Sequence, residues 1–249
     1  MSGRSVSIAA GALLAPRLLA AAGFARRGRR IADIGTDHAY LPVFLVGGGV
    51  SVCAEATDIN RAPLERAAAN IAAAGLSDRI TVRLADGLDG VGAFAPEDIF
   101  ILGMGGELIA RICGKSEYIK NKDIRLVLQP MTRPAALRRF LLSGGFCIED
   151  EELVKEDGDR IYQIICAHYD GVRRSADEPS LAVGAINLGR GGEVLCEYCS
   201  RLERELLRQA AGKRQGGDPA AAAIDEGLAA ELSAVAHGNA YTGDGYYET

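Results

Sequence analysis

The sequence lacks several patterns by which protein classes are commonly identified. No run of apolar residues approaches the length of about 18 that a membrane-spanning helix needs. The early run S-I-A-A-G-A-L-L-A is short and continues as an amphipathic pattern through Leu18. We therefore predict a retained helix over residues 7–24 rather than a cleaved leader, and no membrane association.

Cysteine occurs six times, but without the spacing of a metal or redox site. Cys196 and Cys199 form a C-x-x-C pair, and neither a second pair nor a suitably spaced histidine accompanies it. The pair is either a reactive site or two small apolar side chains on one helix face, and we favour the latter. Scattered cysteines are typical of a reducing compartment, so we expect a cytoplasmic protein, and we expect no metal ligands.

Acidic residues are missing before Asp33, and this stretch is rich in arginine instead. The net charge of −5 excludes a protein with basic surface on all sides, but it allows a local basic face. Such a face is either a solubilising N-terminal helix or a phosphate-contacting edge beside a ligand site. The six arginines concerned are Arg4, Arg17, Arg26, Arg27, Arg29 and Arg30.

The dinucleotide fingerprint G-x-G-x-x-G is also absent, since only Gly35 of its three glycines is present in I-A-D-I-G-T-D-H-A-Y-L at 31–41. A strand that ends in Asp-x-Gly still places backbone N–H groups against a nucleotide-like ligand. Asp58 ends the next strand about 20 residues later, where an acid binds ribose hydroxyls. The two features together predict a nucleotide site of another kind.

With 249 residues, 48% apolar and 24% charged, the chain has the composition of a globular protein with one sizeable domain and an appendage. Apolar runs and Gly or Pro breaks predict strands that alternate with helices, then a final hairpin. The strands are predicted at 30–34, 51–57, 79–84, 98–102, 124–128, 146–154 and 160–169. The helices after the first are predicted at 40–46, 62–74, 107–113, 134–142, 192–211 and 220–236.

In an open α/β sheet, ligands bind at the carboxyl ends of the strands. We expect five strand ends to converge there, with Asp58 binding a ribose and Asp86 binding an adenine amine. Each has a plainer alternative: Asp58 as a helix cap, Asp86-Gly87 as a turn and 103–106 as a loop. No nucleophile motif or water-activating metal cluster is evident. The five ends are Asp33-Ile34-Gly35, Asp58-Ile59-Asn60, Asp86-Gly87-Leu88, Gly103-Met104-Gly105-Gly106 and Gln129-Pro130.

These residues carry a resemblance to a known family. The chain resembles the class I S-adenosylmethionine-dependent methyltransferases, and more closely the bacterial tRNA adenine-N(1) methyltransferase family that modifies position 22. The segments are A-D-I-G-T-D-H-A-Y-L-P at 32–42, D-I-N-R-A-P-L at 58–64, D-G-L at 86–88, G-M-G-G-E-L-I at 103–109, L-V-L-Q-P-M at 126–131 and G-F-C-I-E-D-E-E-L-V-K-E-D-G at 145–158.

The resemblance implies a Rossmann-like α/β sheet with a terminal antiparallel hairpin, followed by a C-terminal helical hairpin. The polar, turn-rich composition after about residue 170 divides the chain into a cofactor-binding domain at 1–170 and a part at 171–249 with a linker, the helical hairpin and a disordered tail. The resemblance implies S-adenosyl-L-methionine as cofactor and tRNA as partner. No obligate protein partner is implied, and we expect a monomer or weak dimer.

The resemblance also assigns site residues. Those expected to bind the cofactor are Asp33, Gly35, Thr36, Asp58, Ile59, Asn60, Asp86, Gly87, Leu88, Gly103 and Gly105. Those expected at the reacting base or its phosphates are His38, Tyr40, Arg17 and Met104, although His38 is alternatively an ordinary helix-turn residue. In-line transfer to a ring nitrogen needs positioning rather than a strong base, which fits the missing acid–base pair.

Other functions stay open from the sequence. A small-molecule methyltransferase would share the cofactor half, and a non-catalytic scaffold that binds S-adenosylmethionine would share it too. A nicotinamide-dependent dehydrogenase is disfavoured by the missing glycines and by the terminal hairpin. Methylation of an exocyclic amine is disfavoured because G-M-G-G stands where an Asn/Asp-Pro-Pro-aromatic loop is usual.

Overall fold

The computed structural model describes residues 14–156, 158, 160–243 and 245–248. The strands are β1 (Ile31–Ile34), β2 (Ala54–Asp58), β3 (Ile80–Leu84), β4 (Asp98–Gly105), β5 (Arg125–Thr132), β6 (Phe146–Glu156), β7 (Arg160–Tyr169), β8 (Arg174–Ala176) and β9 (Tyr246–Glu248). The α-helices are α1 (Pro16–Gly23), α2 (Tyr40–Gly47), α3 (Arg61–Ala73), α4 (Val91–Phe94), α5 (Gly106–Gly114), α6 (Pro134–Ser143), α7 (Glu178–Val183), α8 (Ala185–Arg190), α9 (Glu193–Gln215) and α10 (Pro219–Ala236).

Seven strands form one sheet in the order β3-β2-β1-β4-β5-β7-β6. β1 to β5 are parallel, and β7 is inserted antiparallel between β5 and β6. The edge at which the parallel strands end is the carboxyl edge, and the edge at which they begin is the amino edge. The strand order reverses between β1 and β4, which is where ligands bind in open α/β sheets. The predicted α/β sheet with a terminal antiparallel hairpin is confirmed.

The central strands are apolar on both faces because helices cover both faces. Phe100 and Val127 pack with α1, α2 and α3, whereas Ile101 and Leu128 pack with α5 and α6. The strand bounds follow the prediction closely, except that β4 and β5 extend further toward the carboxyl edge. The first helix begins at Pro16, and residues 7–13 of its predicted span lie outside the described part of the chain.

The segment expected to be a linker is instead ordered structure. It contains β8, α7 and α8, and β8 pairs antiparallel with β9, a segment expected to be disordered. Asp177 caps α7, since its carboxylate accepts from the Ser180 N–H at 2.9 Å. The sequence did not predict these short elements because they are stabilised by contacts with distant residues and carry little local signal.

A buried ion pair joins these elements to the sheet. Arg138 on α6 and Glu151 on β6 are both 0% exposed, and a guanidinium nitrogen of Arg138 lies 2.7 Å from a carboxylate oxygen of Glu151. The guanidinium also donates to the carbonyls of Leu181 and Val183. The second carboxylate oxygen of Glu151 accepts from the Tyr246 hydroxyl at 2.9 Å. The pair therefore links α6, β6, α7 and β9 in one hydrogen-bonded network.

The helical hairpin predicted after residue 190 is present as α9 and α10. Its interior is apolar, with Leu195, Cys199 and Leu232 at 3% exposure or less. All six cysteines are free; at the C-x-x-C pair Cys199 is buried in the hairpin interior and Cys196 is half-buried. Lys155 of β6 binds Glu197 of α9 at 2.7 Å, so the hairpin is held against the sheet.

None of the helices in the described part of the chain is long and apolar enough to cross a membrane.

Removing one partner of the buried pair should destabilise the fold strongly. We expect Arg138→Met to lower the free energy of unfolding by about 3–5 kcal/mol, because Glu151 then stays buried without its counter-charge. Urea denaturation measures this. The control is Arg139→Met on the same helix, whose ion pair with Glu178 is more than half exposed, and its loss should stay below about 1 kcal/mol. Equal losses would contradict this interpretation.

Candidate active site at the carboxyl edge

The turn after β1 is built around backbone hydrogen bonds. The N–H groups of Gly35 and Thr36 both donate to the Thr57 carbonyl at 2.8 Å, which fixes the turn against β2. The Thr36 hydroxyl accepts from the Ala39 N–H at 3.0 Å and holds the entry to α2. Gly35 has a φ of +76°, a conformation that favours glycine.

The side chain of Met104 lies close to this glycine. A Cβ on Gly35 would overlap Cε of Met104, so the thioether of β4 lies directly over the β1 turn. Sequence reasoning placed the two residues in one cleft but attributed the glycine to ligand approach alone. The structure brings them into contact across the point where the strand order reverses.

Asp33 is the buried acid of the site, with 8% of its surface exposed. Burial raises the pKa of its carboxyl to about 6, and a hydrogen bond from the Thr36 side chain opposes part of this shift. The group is therefore mainly ionised at neutral pH, although burial makes its charge costly. An anion held in this way attracts a cationic ligand group.

Asp58 ends β2 at the same edge. Its Oδ1 accepts from the Asn60 N–H at 2.7 Å, while Asn60 itself occupies the N-terminal position of α3. Asp58 thus shapes the loop before the helix and is not the helix cap considered from the sequence. The neighbouring Ile59 is 60% exposed and offers an apolar surface beside the carboxylate.

Asp86 follows β3 and is largely exposed, with Lys115 3.8 Å away. Together with Gly87 and Leu88 it lines a cavity of about 260 Å³ that extends along α4 and the end of α5. Leu88 is only 6% exposed and belongs to the core, so its side chain is chiefly a packing residue. The three residues share the carboxyl edge with Asp58, as predicted.

The G-M-G-G segment continues β4 further than expected. β4 pairs with β5 up to Gly105, with register irregularities at Met104 and Gly105. The buried Gln129 of β5 anchors this end, since its Oε1 accepts from the Gly103 N–H at 3.0 Å. Its amide nitrogen contacts the thioether of Met131, which is 47% exposed.

His38 and Tyr40 form an aromatic pair at the start of α2. Their rings are stacked at 5.0 Å between centroids with an interplanar angle of 12°. Asp37 binds both His38 and Arg66, and Arg66 lowers the pKa of the Asp37 carboxyl. Tyr40 remains 45% exposed, so one aromatic surface is available at the carboxyl edge.

The arginines are not one phosphate-binding edge. Arg26, Arg29 and Arg30 precede β1 and lie at the amino edge, at the opposite end of the parallel strands from the candidate site. Arg26 binds the buried Asp98 at 2.6 Å, and the other two contact Glu97. Four residues of β1 separate them from the site, so they do not lie beside it, and their contact with RNA phosphates stays a prediction. Arg27 is exposed at the same edge, and Arg4 lies outside the described residues.

Arg17 does lie at the carboxyl edge, but it is already engaged. Its side chain and its backbone N–H bind Glu156 at 2.8–3.1 Å. The guanidinium also lies 5.4 Å from the centre of the Tyr162 ring. Its geometry is that of a residue that fixes α1 on the β6–β7 hairpin, and its contact with an RNA phosphate stays a prediction.

Sequence reasoning missed a second cavity, of about 380 Å³, between β5, β7 and α9. Its lining includes Met131, Arg160, Tyr162, Tyr198 and Arg201. No local motif marks it, because its residues come together only when the helical hairpin packs beside the sheet. The hairpin therefore contributes to a surface at the carboxyl edge.

Comparison with known proteins identifies the family. A methyltransferase domain family matches residues 14–165. The tRNA (adenine(22)-N(1))-methyltransferase of Bacillus subtilis (strain 168) is 36% identical over 170 residues, which are 66% of this chain and 71% of that protein. The chain belongs to the tRNA (adenine(22)-N(1))-methyltransferase family.

Solved structures agree with this family. The B. subtilis M1A22 tRNA methyltransferase TrmK superposes with a TM-score of 0.76 at 27% identity, over 89% of this chain and 99% of that one. Streptococcus pneumoniae Sp1610 in complex with S-adenosyl-L-methionine gives a TM-score of 0.78 at 29% identity, over 89% and 100%. The likeness includes the helical hairpin as well as the sheet, because it covers most of both chains.

The raised pKa of Asp33 makes a prediction for the ligand-free protein. The folded state binds the proton of the Asp33 carboxyl more tightly than the unfolded state does. Deprotonation of this group therefore lowers the free energy of unfolding as pH rises from about 4 to 6. We expect Asp33→Asn to raise the free energy of unfolding at pH 7 by up to roughly 3 kcal/mol and to change it little at pH 4. Urea denaturation at both pH values measures the difference.

The exposed Asp86→Asn serves as control and should change stability by less than about 1 kcal/mol at either pH. An Asp33→Asn effect of the same size at pH 4 and pH 7 would show that burial of the charge is not its cause.

Proposed function

We propose that the chain transfers a methyl group from S-adenosyl-L-methionine to N1 of adenine 22 in tRNA. The observation that carries the proposal is the grouping of Asp33, the Gly35 turn and Asp58 at the strand-order reversal of a chain in this family. A small-molecule substrate is not favoured, since the relative over these residues is a tRNA methyltransferase.

The chemistry of the site fits this cofactor. The buried Asp33 carboxylate, mainly ionised at neutral pH, complements the cationic methionine part. The turn at Gly35 and Thr36 allows backbone approach, and Asp58 accepts from the ribose hydroxyls. Ile59, Asn60, Asp86, Gly87, Leu88, Gly103 and Gly105 complete the proposed cofactor-binding set.

When bound, S-adenosyl-L-methionine would supply an activated methyl group: N1 would form a bond to the methyl carbon as the carbon–sulfur bond breaks, and S-adenosylhomocysteine would be the leaving group. N1 has a free in-plane lone pair at neutral pH, so the protein needs no base to remove a proton first. Its residues must instead align the base and favour the positive charge that moves onto the purine. Asp33 and Asp37 supply negative charge at this edge.

N1 lies on the pairing edge of adenine, so the base must leave its stack to react. The exposed ring of Tyr40, backed by His38, is the proposed platform for the displaced base. Met104, held over Gly35, is the proposed apolar wall between base and cofactor. Arg17 acts indirectly, by fixing α1 and the β6–β7 hairpin.

We further propose that residues 1–170 form the cofactor-binding unit and that the later helices extend its RNA surface. The reaction belongs in the cytoplasm, where tRNA and free thiols are found together. No protein partner is required by this scheme, which a monomer or a weak dimer would satisfy.

Replacing the acid proposed to bind the ribose should weaken binding of the cofactor. We expect Asp58→Asn to lower affinity for S-adenosyl-L-methionine by about ten- to hundredfold, because hydrogen bonds to a charged group contribute about 1.5–3 kcal/mol. Isothermal titration calorimetry measures the affinity. The exposed Asp78→Asn, in the loop before β3, is the matched control and should bind normally. Unchanged affinity in Asp58→Asn would remove Asp58 from the site.

Methyl transfer to unmodified tRNA tests the function itself. With labelled S-adenosyl-L-methionine we expect one methyl group per tRNA and a primer-extension stop at position 22 that disappears when adenine 22 is replaced. In the same assay Tyr40→Ala should slow transfer by about ten- to hundredfold, since base stacking on an aromatic ring contributes about 1–3 kcal/mol. Tyr40→Phe keeps the ring and should stay close to wild type.

Cofactor binding without label in any tRNA would overturn the proposed substrate. A stop at another position would overturn the proposed site on the RNA. Equal rates for Tyr40→Ala and Tyr40→Phe would exclude the stacking role of Tyr40.

A further inference from the structure

A second group of side chains that can ligate a metal lies at the amino edge, at the opposite end of the parallel strands from the proposed active site. Cys147 at the start of β6 is directly opposite His168 of β7 in the strand register. Asp170 follows β7 and belongs to the same group. A ligand atom from each of the three residues, the thiol sulfur, a ring nitrogen and a carboxylate oxygen, lies within 4.8 Å of the other two.

These side chains are held in place by neighbours. Nδ1 of His168 lies 3.2 Å from a carboxylate oxygen of Glu149, which Arg125 binds at 2.7 Å. Asp170 is bound by Arg174 at 2.6 and 3.1 Å and by the Val172 N–H at 2.9 Å. Metal-binding histidines and carboxylates typically have such hydrogen-bonding partners behind them.

We propose that Cys147, His168 and Asp170 bind one Zn²⁺ ion. Thiolate, imidazole and carboxylate are the ligands that zinc takes in proteins, and three of them leave a fourth position for water. On binding, the S–H bond of Cys147 breaks, a sulfur–zinc bond forms and the proton passes to solvent.

The charges at this site are compatible with a dication. Glu149 and Asp170 are balanced by Arg125 and Arg174, to which they are bound. The thiolate adds one negative charge and the ion two positive charges, so the loaded site carries a single net positive charge. Arg174 binds both oxygens of Asp170, at 2.6 and 3.1 Å, so Asp170 would share a carboxylate oxygen between this guanidinium and the ion.

The proposed ion would join the start of β6 to the segment that leads from β7 into β8. Its expected effect is on the stability of this end of the sheet and not on methyl transfer, because the carboxyl edge lies at the other end of the strands. The C-x-x-C pair at 196 and 199 plays no part. The three ligands are brought together by strand pairing and by no short sequence spacing.

Cobalt(II) titration of the metal-free full-length protein tests the proposal, since Co²⁺ occupies zinc sites and gives a thiolate charge-transfer band in the near ultraviolet. We expect one equivalent to bind, with a band that Zn²⁺ abolishes by displacement. Cys147→Ser should lose the band. Cys53→Ser removes a half-buried thiol outside the group and should keep it.

Three further readouts separate a metal ligand from a structural cysteine. Asp170→Asn, which keeps all thiols, should weaken Zn²⁺ binding, and Glu149→Gln should weaken it by about ten- to hundredfold. Zn²⁺ should raise the Tm of the wild type but not of Cys147→Ser. Circular dichroism verifies that each variant is folded, and Asp170→Asn replaces Cys147→Ser if the latter is not.

The proposal is overturned if the wild type binds no stoichiometric Co²⁺, or if Cys147→Ser and Asp170→Asn bind Co²⁺ and Zn²⁺ as the wild type does. Neither result would affect the proposed methyl transfer, which is measured separately by label in tRNA.

Discussion

The buried pair of Arg138 and Glu151 is the interaction on which the assembly of this molecule depends. Both charges are removed from water, so each is tolerable only while the other and its hydrogen-bond partners are present. The partners come from α7 and β9, and Gly184 is required beside them, because a Cβ there would overlap the Glu151 carboxylate. The sheet is therefore joined to the segment after residue 170 by buried hydrogen bonds.

Dependence on partners that are distant in sequence explains which parts of the fold could be predicted and which could not. The strands up to residue 169 and all the helices before it except the four-residue α4 have apolar runs bounded by Gly, Pro or Asp, so local pattern identifies them. The elements at 174–190 and 246–248 owe their order to partners far along the chain, such as Tyr246 with Glu151, 95 residues apart. No local pattern contains that information.

The candidate site divides in a similar way. The location of its acids and glycines could be predicted because each lies at or just after the end of a strand, and parallel strands end at one edge. The position of the arginines before β1 could not be predicted in this way. They are close to Asp33 in sequence, but β1 extends roughly 13 Å and places them at the opposite end of the strand from the site. The roles of Met104 and Gln129 needed the pairing of β4 with β5, whose register irregularities at Met104 and Gly105 follow no sequence rule.

The pairing of β8 with β9 has a consequence for the order of events during synthesis. A ribosome makes Arg138 and Glu151 long before Tyr246, so the nascent chain holds both charges while one carboxylate oxygen still lacks its hydroxyl donor. The seven-stranded sheet can collapse in that interval, but the last hydrogen bond of its core is supplied only later. Residues at the two ends of this hydrogen bond are 95 positions apart, so the buried pair gains its full set of partners only when the chain has been made as far as residue 246.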